Sequence, residues 1–181
     1  MTNKEKKTTA LCGRETVRMK FTKARKFINP VNYIIQMGYI PRSGQKKKTP
    51  IGRAMSTILQ EAMVGNYPHI EVDPAKAKLS TGIKGGPAVL ALIREKARIK
   101  MTWNTDFRSW AGDMYDDRII LCAYAVEQEL AAINENEALR NDGQLQMELP
   151  DGMDELPVHL YLIVHDREQK AFSNSLYLGL F

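Results

Sequence analysis

At 181 residues, with 44% hydrophobic and 26% charged side chains, the chain is long enough for one domain with a sizeable core, or for a helical piece attached to a β domain of about 100 residues. No apolar run approaches the ~20 residues of a bilayer span, and the basic N-terminus lacks the apolar stretch of a secretory signal. Those absences exclude a membrane-spanning helix and lead to an expected cytoplasmic location, with a virion or other assembly as a variant of it. The net charge of +5 hides a separation: residues 1–53 hold 14 Lys/Arg against 2 acids, whereas residues 54–181 hold 12 against 19. A basic head of +12 on an acidic body of −7 implies a negative partner for the head. Nucleic acid, an anionic surface and the body of a neighbouring copy all meet that description.

In chain order, residues 1–13 are polar and charged and are expected to form a flexible basic lead-in. Residues 14–66 read as helical. From Arg14 to Ile28, at 100° per residue, Val17, Phe21, Ala24 and Ile28 fall within about 60° of one another, and Arg14, Arg18 and Arg25 form the neighbouring stripe. One face can pack while the next meets anions. Asn29 and Pro30 read as the cap and first residue of a short second helix, VNYIIQM, closed by Gly38. After a polar loop carrying Lys46, Lys47 and Lys48, Thr49 and Pro50 repeat the cap signal. The third helix runs to about Val64, with Ile51, Ala54, Met55, Ile58, Leu59 and Ala62 as its apolar arc.

Beyond residue 67 the apolar period becomes two, and strands are expected at 78–81, 88–93, 97–104, 118–126, 130–133, 145–149, 158–165 and 175–180. Ile99, Met101 and Trp103 alternate with Arg98, Lys100 and Thr102, the pattern of a strand with one wet face. Ile119 to Ala125 is apolar almost throughout, as in a central strand covered on both sides. Trp103 serves as the core anchor, since an indole buries a large area. Without alternating βα units, the pattern gives an α+β protein in which N-terminal helices precede an antiparallel β-sandwich over residues 67–181.

Candidate chemistry is sparse. His159 and His165 share a strand face but lie ~20 Å apart, too far to share a metal, and read as half-exposed strand positions; His69 stands alone. Asp113, Asp116 and Asp117, in the polar loop between the two central strands, could hold a hard cation, but their spacing fits no EF-hand and the plainer reading is solvated loop acids. Phe107, Trp110 and Tyr115 in the same loop form either an interaction surface or a set of side chains tucked under the fold. Ser173 and Ser175 have no nucleophile elbow, and Gly85-Gly86-Pro87 opens a strand, not a phosphate-binding helix. Cys12 and Cys122 read as free thiols, the latter in the core. No metal, cofactor or small-molecule substrate is implied.

The segments AMVGNYPHIEVD, KLSTG, IKMTW, DRIILCAY, QMELP, VHLYLIV and SNSLYLG, in that order, resemble an uncharacterised domain family found mainly in Bacteroidetes, over roughly Phe21 to the C-terminus. The resemblance implies N-terminal helices, a fibronectin III- or immunoglobulin-like β-sandwich and no assigned activity. It places the tryptophan of a fibronectin-like second strand at Trp103 and a core tyrosine at Tyr161. Many relatives carry a glycine-rich segment before the first helix; here a lysine-rich lead-in takes its place.

The expected function is a non-enzymatic binding or assembly module. Arg14, Arg18, Lys23, Arg25, Lys26, Lys46, Lys47 and Lys48 would contact an anionic partner, either the acidic body of a neighbouring copy or nucleic acid. Phe107, Trp110 and Tyr115 would supply a second surface. The alternatives are a metal-dependent enzyme with its site in the acidic loop at 105–117 and a nucleic-acid-binding accessory protein.

Overall fold

The computed structural model describes the backbone of residues 3–41, 48–106 and 112–181, and side chains within those ranges from residue 13 onward. Helix α1 (Asn3–Ile28) runs through a 3₁₀ turn at Asn29–Val31 into α2 (Asn32–Gly38). It therefore begins before Arg14, and Asn29 is not a cap: the residue ahead of the turn, Ile28, is itself helical and no side chain bonds across the joint. Pro30 tightens the turn because it cannot donate to the preceding helix. The Thr49–Pro50 signal is realised as read, with Thr49 Oγ1 accepting from the Gly52 amide at 3.1 Å at the start of α3 (Pro50–Thr57). One π-helical turn, Ile58–Ala62, continues α3, and the chain then leaves it as β1 (Met63–Val64), which pairs antiparallel with β2 (Glu71–Val72).

The remaining strands are β3 (Val89–Glu95), β4 (Arg98–Trp103), β5 (Arg118–Ala125), β6 (Leu130–Ile133), β7 (Gln144–Glu148), β8 (His159–His165) and β9 (Leu176–Leu180). They form two antiparallel sheets, in the orders β3-β4-β7 and β6-β5-β8-β9. The strand expected at 78–81 is absent as a ladder. That segment instead lies against 173–175, where Ser80 Oγ donates to the Ser173 carbonyl at 2.9 Å and the Leu79 amide donates to Ser175 Oγ at 2.8 Å. Leu79 and Ser80 are fully buried, so alternation alone could not separate a packed connector from a strand.

The layers are helices, four-stranded sheet, three-stranded sheet. Between the sheets, Ile99, Met101 and Trp103 of β4 meet Leu121 and Ala123 of β5 and Leu160 and Leu162 of β8. On the other side of the four-stranded sheet, Cys122, Tyr124, Tyr161 and Ile163 meet Phe27 and Ile28 of α1, Ile34 and Ile35 of α2 and Ala54 and Ile58. The helices and the sheet thus share one core, and Phe27 packs edge-on against Tyr124 with ring centroids 5.1 Å apart. Each such large apolar side chain contributes roughly 1.5–3 kcal/mol through burial.

Two contacts fix the outer pieces. Arg94, near the end of β3, donates to the carbonyls of Met153, Asp154, Leu156 and Phe181 at 2.7–3.0 Å, tying the 153–156 turn and the C-terminus to the three-stranded sheet. Gly38 ends α2 at a close approach, where its carbonyl accepts from the Thr81 amide at 3.0 Å and a Cβ would stand 2.5 Å from Ser80 Cβ. Among the described residues no helix is long and apolar enough to cross a membrane. Gly38→Ala must push α2 off the 79–81 segment, and an overpacked contact of this kind costs about 1–3 kcal/mol. Urea unfolding followed by far-UV circular dichroism should show a lowered midpoint with an unchanged slope; an unaltered midpoint would contradict the tight contact.

Candidate functional site

The basic head comes down to α1. Its last turns are clamped to the body: Ala24, Phe27 and Ile28 are buried, and the Tyr124 hydroxyl donates to the Phe27 carbonyl at 2.9 Å. Burial raises the Tyr124 pKa, so that hydroxyl stays a donor. The turns before this anchor lose contact. Val17 and Phe21, on the same stripe as Ala24 and Ile28, are 55% and 51% exposed. Arg14 and Arg18 lie exposed beside them and Arg25 lies exposed on the same stripe within the anchor, and none of the three side chains has an ion-pair or hydrogen-bond partner among the described residues. Lys26 is different, because it pairs with Glu129 of the β5–β6 turn at 3.0 Å. With Lys23 it lines a cavity of about 310 Å³ between α1 and the sheet.

Of the other predicted cations, Lys48 alone is among the described residues. Lys48 is exposed ahead of α3, and its carbonyl accepts from Arg53 Nε at 3.2 Å. Lys46 and Lys47 lie outside the described residues, as do Phe107 and Trp110 of the proposed interaction loop. Tyr115 of that loop is described, and it is 58% exposed.

The acidic loop departs most from its sequence reading. Asp113 and Asp117 are 6% and 0% exposed, not solvated, while Asp116 remains partly exposed. Asp117 Oδ1 accepts from Lys84 Nζ at 2.7 Å, Asp117 Oδ2 accepts from the Met114 amide at 2.9 Å, and Arg140 Nη2 lies 3.4 Å from the same carboxylate. Asp113 Oδ1 accepts from the Gly85 amide at 2.9 Å, and Arg140 Nη2 also donates to the Gly85 carbonyl at 2.5 Å. The Arg140 carbonyl in turn accepts from Trp103 Nε1 at 2.8 Å. Three connections, those before β3, β4–β5 and β6–β7, are thereby pinned at one end of the sheets. Lys84 and Arg140 carried no signal in the sequence, since loop-to-loop pairing leaves no periodic trace. Both carboxylates already face cations, and among the described residues no group of three or more His, Cys, Asp and Glu could hold a metal.

The remaining candidates serve packing. His159 Nδ1 is 2.9 Å from the Tyr177 hydroxyl, and desolvation lowers its pKa. His165, expected half-exposed, is 4% exposed and stacks on Phe172 at 5.1 Å, because the β8–β9 connection folds over it. His69 is exposed and far along the chain from both. Ser173 Oγ and Ser175 Oγ accept from the Val164 and Leu79 amides. Cys122 is a fully buried free thiol whose pKa is pushed up to about 12 by burial, the opposite of an activated nucleophile.

Compared with known proteins, residues 4–179 match a family described as a family of unknown function (DUF6266). No curated protein and no solved structure matches the chain.

Removing one member of the buried ion cluster leaves its partners charged in a dry site, which costs about 3–5 kcal/mol. Asp117→Ala should therefore lower the thermal unfolding temperature sharply, whereas Asp116→Ala, at a partly exposed neighbour in the same loop, should leave it nearly unchanged. Equal effects of the two substitutions in a melting experiment would refute the cluster's role.

Proposed function

We propose, for a chain that belongs to the DUF6266 family of unknown function, a non-enzymatic binding or assembly module whose helix α1 presents its outer half to an anionic protein surface. The observation that carries this reading is the exposure of Arg14, Arg18 and Arg25 around an equally exposed Val17 and Phe21. Cations alone would suit nucleic acid as well as protein. The apolar stripe between them favours protein, because a docked helix gains by burying Val17 and Phe21, whereas phosphates offer them no cover. The acidic body, net −7 over residues 54–181, makes a neighbouring copy the simplest such surface.

The enzymatic alternative in the 105–117 loop is disfavoured by the engagement of Asp113 and Asp117 with Gly85, Lys84 and Arg140. The finer reading of the sheets as a fibronectin III- or immunoglobulin-like sandwich is supported by the division of β3, β4 and β7 from β5, β6, β8 and β9. The immunoglobulin constant-type division differs only in which sheet carries its fourth strand. Trp103 and Tyr161, the positions that the family resemblance singled out, are both buried.

Size-exclusion chromatography with light scattering at about 50 mM and about 500 mM salt tests the proposal, since exposed charge pairing is screened over this range. The chain is expected to associate at the lower salt and dissociate at the higher. The combined substitution Arg14→Glu, Arg18→Glu and Arg25→Glu should abolish association without altering the melting temperature. A chain that stays monomeric at both salts, yet retains random duplex DNA on a filter at the lower one, would reassign α1 to nucleic acid.

A further inference from the structure

We infer that the cavity at the foot of α1 receives the outer half of α1 from a second copy of this chain. This inference rests on the assembly reading above and names the acceptor surface that the reading leaves open. The cavity, about 310 Å³, falls at the lower end of the size range of ligand-binding clefts. Phe27, Val72, Tyr124 and Val126 supply its apolar walls. Such a floor favours a large apolar side chain over a hydrated one.

Its charge narrows the occupant further. Lys26 is neutralised by Glu129, leaving Lys23 against Glu71 and Glu127, both exposed and without an ion-pair partner among the described residues. The lining holds two lysines and two glutamates, and with Lys26 engaged by Glu129 the two unpaired carboxylates at the rim can receive cations that flank an apolar group. The outer half of α1 has that composition: Val17 and Phe21 one turn apart, with Arg14 and Arg18 on the adjoining stripe.

Phe21 cannot fill the cavity of its own chain. It sits six positions before Phe27 on the same continuous helix, about 9 Å along the axis, and a helix does not fold back on itself. Only another molecule can bring it there. Direct pairing of two α1 stripes without an acidic acceptor would set arginine rows against each other, and like charges so placed cost several kcal/mol. Glu71 and Glu127 remove that objection by giving the incoming guanidinium groups carboxylates at the rim.

A charge exchange tests this in the full chain. The arm variant Arg14→Glu, Arg18→Glu and the cavity variant Glu71→Arg, Glu127→Arg alter exposed positions only, and circular dichroism should show both folded. In sedimentation equilibrium at about 50 mM salt each variant alone should self-associate roughly tenfold more weakly than the wild type or worse, about 1.4 kcal/mol or more. Mixed together they should associate again, since the reversed arm now faces a reversed cavity. If the wild type assembles and the cavity variant assembles equally well, the cavity is not the acceptor, although charge-driven assembly survives. If the wild type stays monomeric at low salt, both the acceptor and the assembly reading fall.

Discussion

Seven of the eight residues of β5 are buried, alternately against the helices and against the three-stranded sheet. A strand with two dry faces can exist only if both are covered, so the helical layer is a requirement of the fold and not an appendage to it. Ile120, Cys122 and Tyr124 need Phe27, Ile28, Ile34 and Ile58 above them, as Ile119, Leu121 and Ala123 need Met101 and Trp103 below. The antiparallel pairing of β5 with β8 carries the same demand across, through Tyr161 and Ile163 on one face and Leu160 and Leu162 on the other. From this double burial follow the docking of α1, α2 and α3 and the point at which α1 runs out of body to pack on.

Charge is handled in two opposite ways. At one end of the sheets Asp113, Asp117, Lys84 and Arg140 are taken out of water together, and the desolvation this costs leaves little net gain over an apolar cluster of the same shape. Their value is positional, because the four come from three different connections and mispaired loops would strand a charge. On α1 the arginines stay in water and pair with nothing described, so they contribute solvation and a long-range field but no register. Only the second arrangement leaves charge available to a partner. That difference separates the acidic loop, whose charges are consumed within the fold, from the basic helix, whose arginines remain in solvent.

Much of the architecture was written in local patterns. The strands β3 to β9 lie within about two residues of where alternation and turn residues put them, and Thr49–Pro50 marks the start of α3. Trp103, read as the core anchor, is buried. Other features escaped because their cause is not local. Asn29–Pro30 has the composition of a cap but is a tight turn between two helices, and Leu79–Ser80 alternates like a strand yet packs as a connector. Asp113 and Asp117 look like loop acids until Lys84 and Arg140 arrive from other connections, 33 and 23 residues from Asp117.

The sequence by itself determined the order of the elements, the two-faced burial of β5, the buried face of β4 and the crowding of arginine and lysine into the first third of the chain. These depend on composition and on periods of 2 and 3.6 residues, which any single stretch displays. Tertiary structure alone decided which charges are consumed and which are left over, and where the apolar stripe of α1 stops being covered. Burial of Ala24 and exposure of Phe21 differ by less than one helical turn. No local pattern distinguishes them, because the boundary is set by where the elements packed against the helix end and not by the helix.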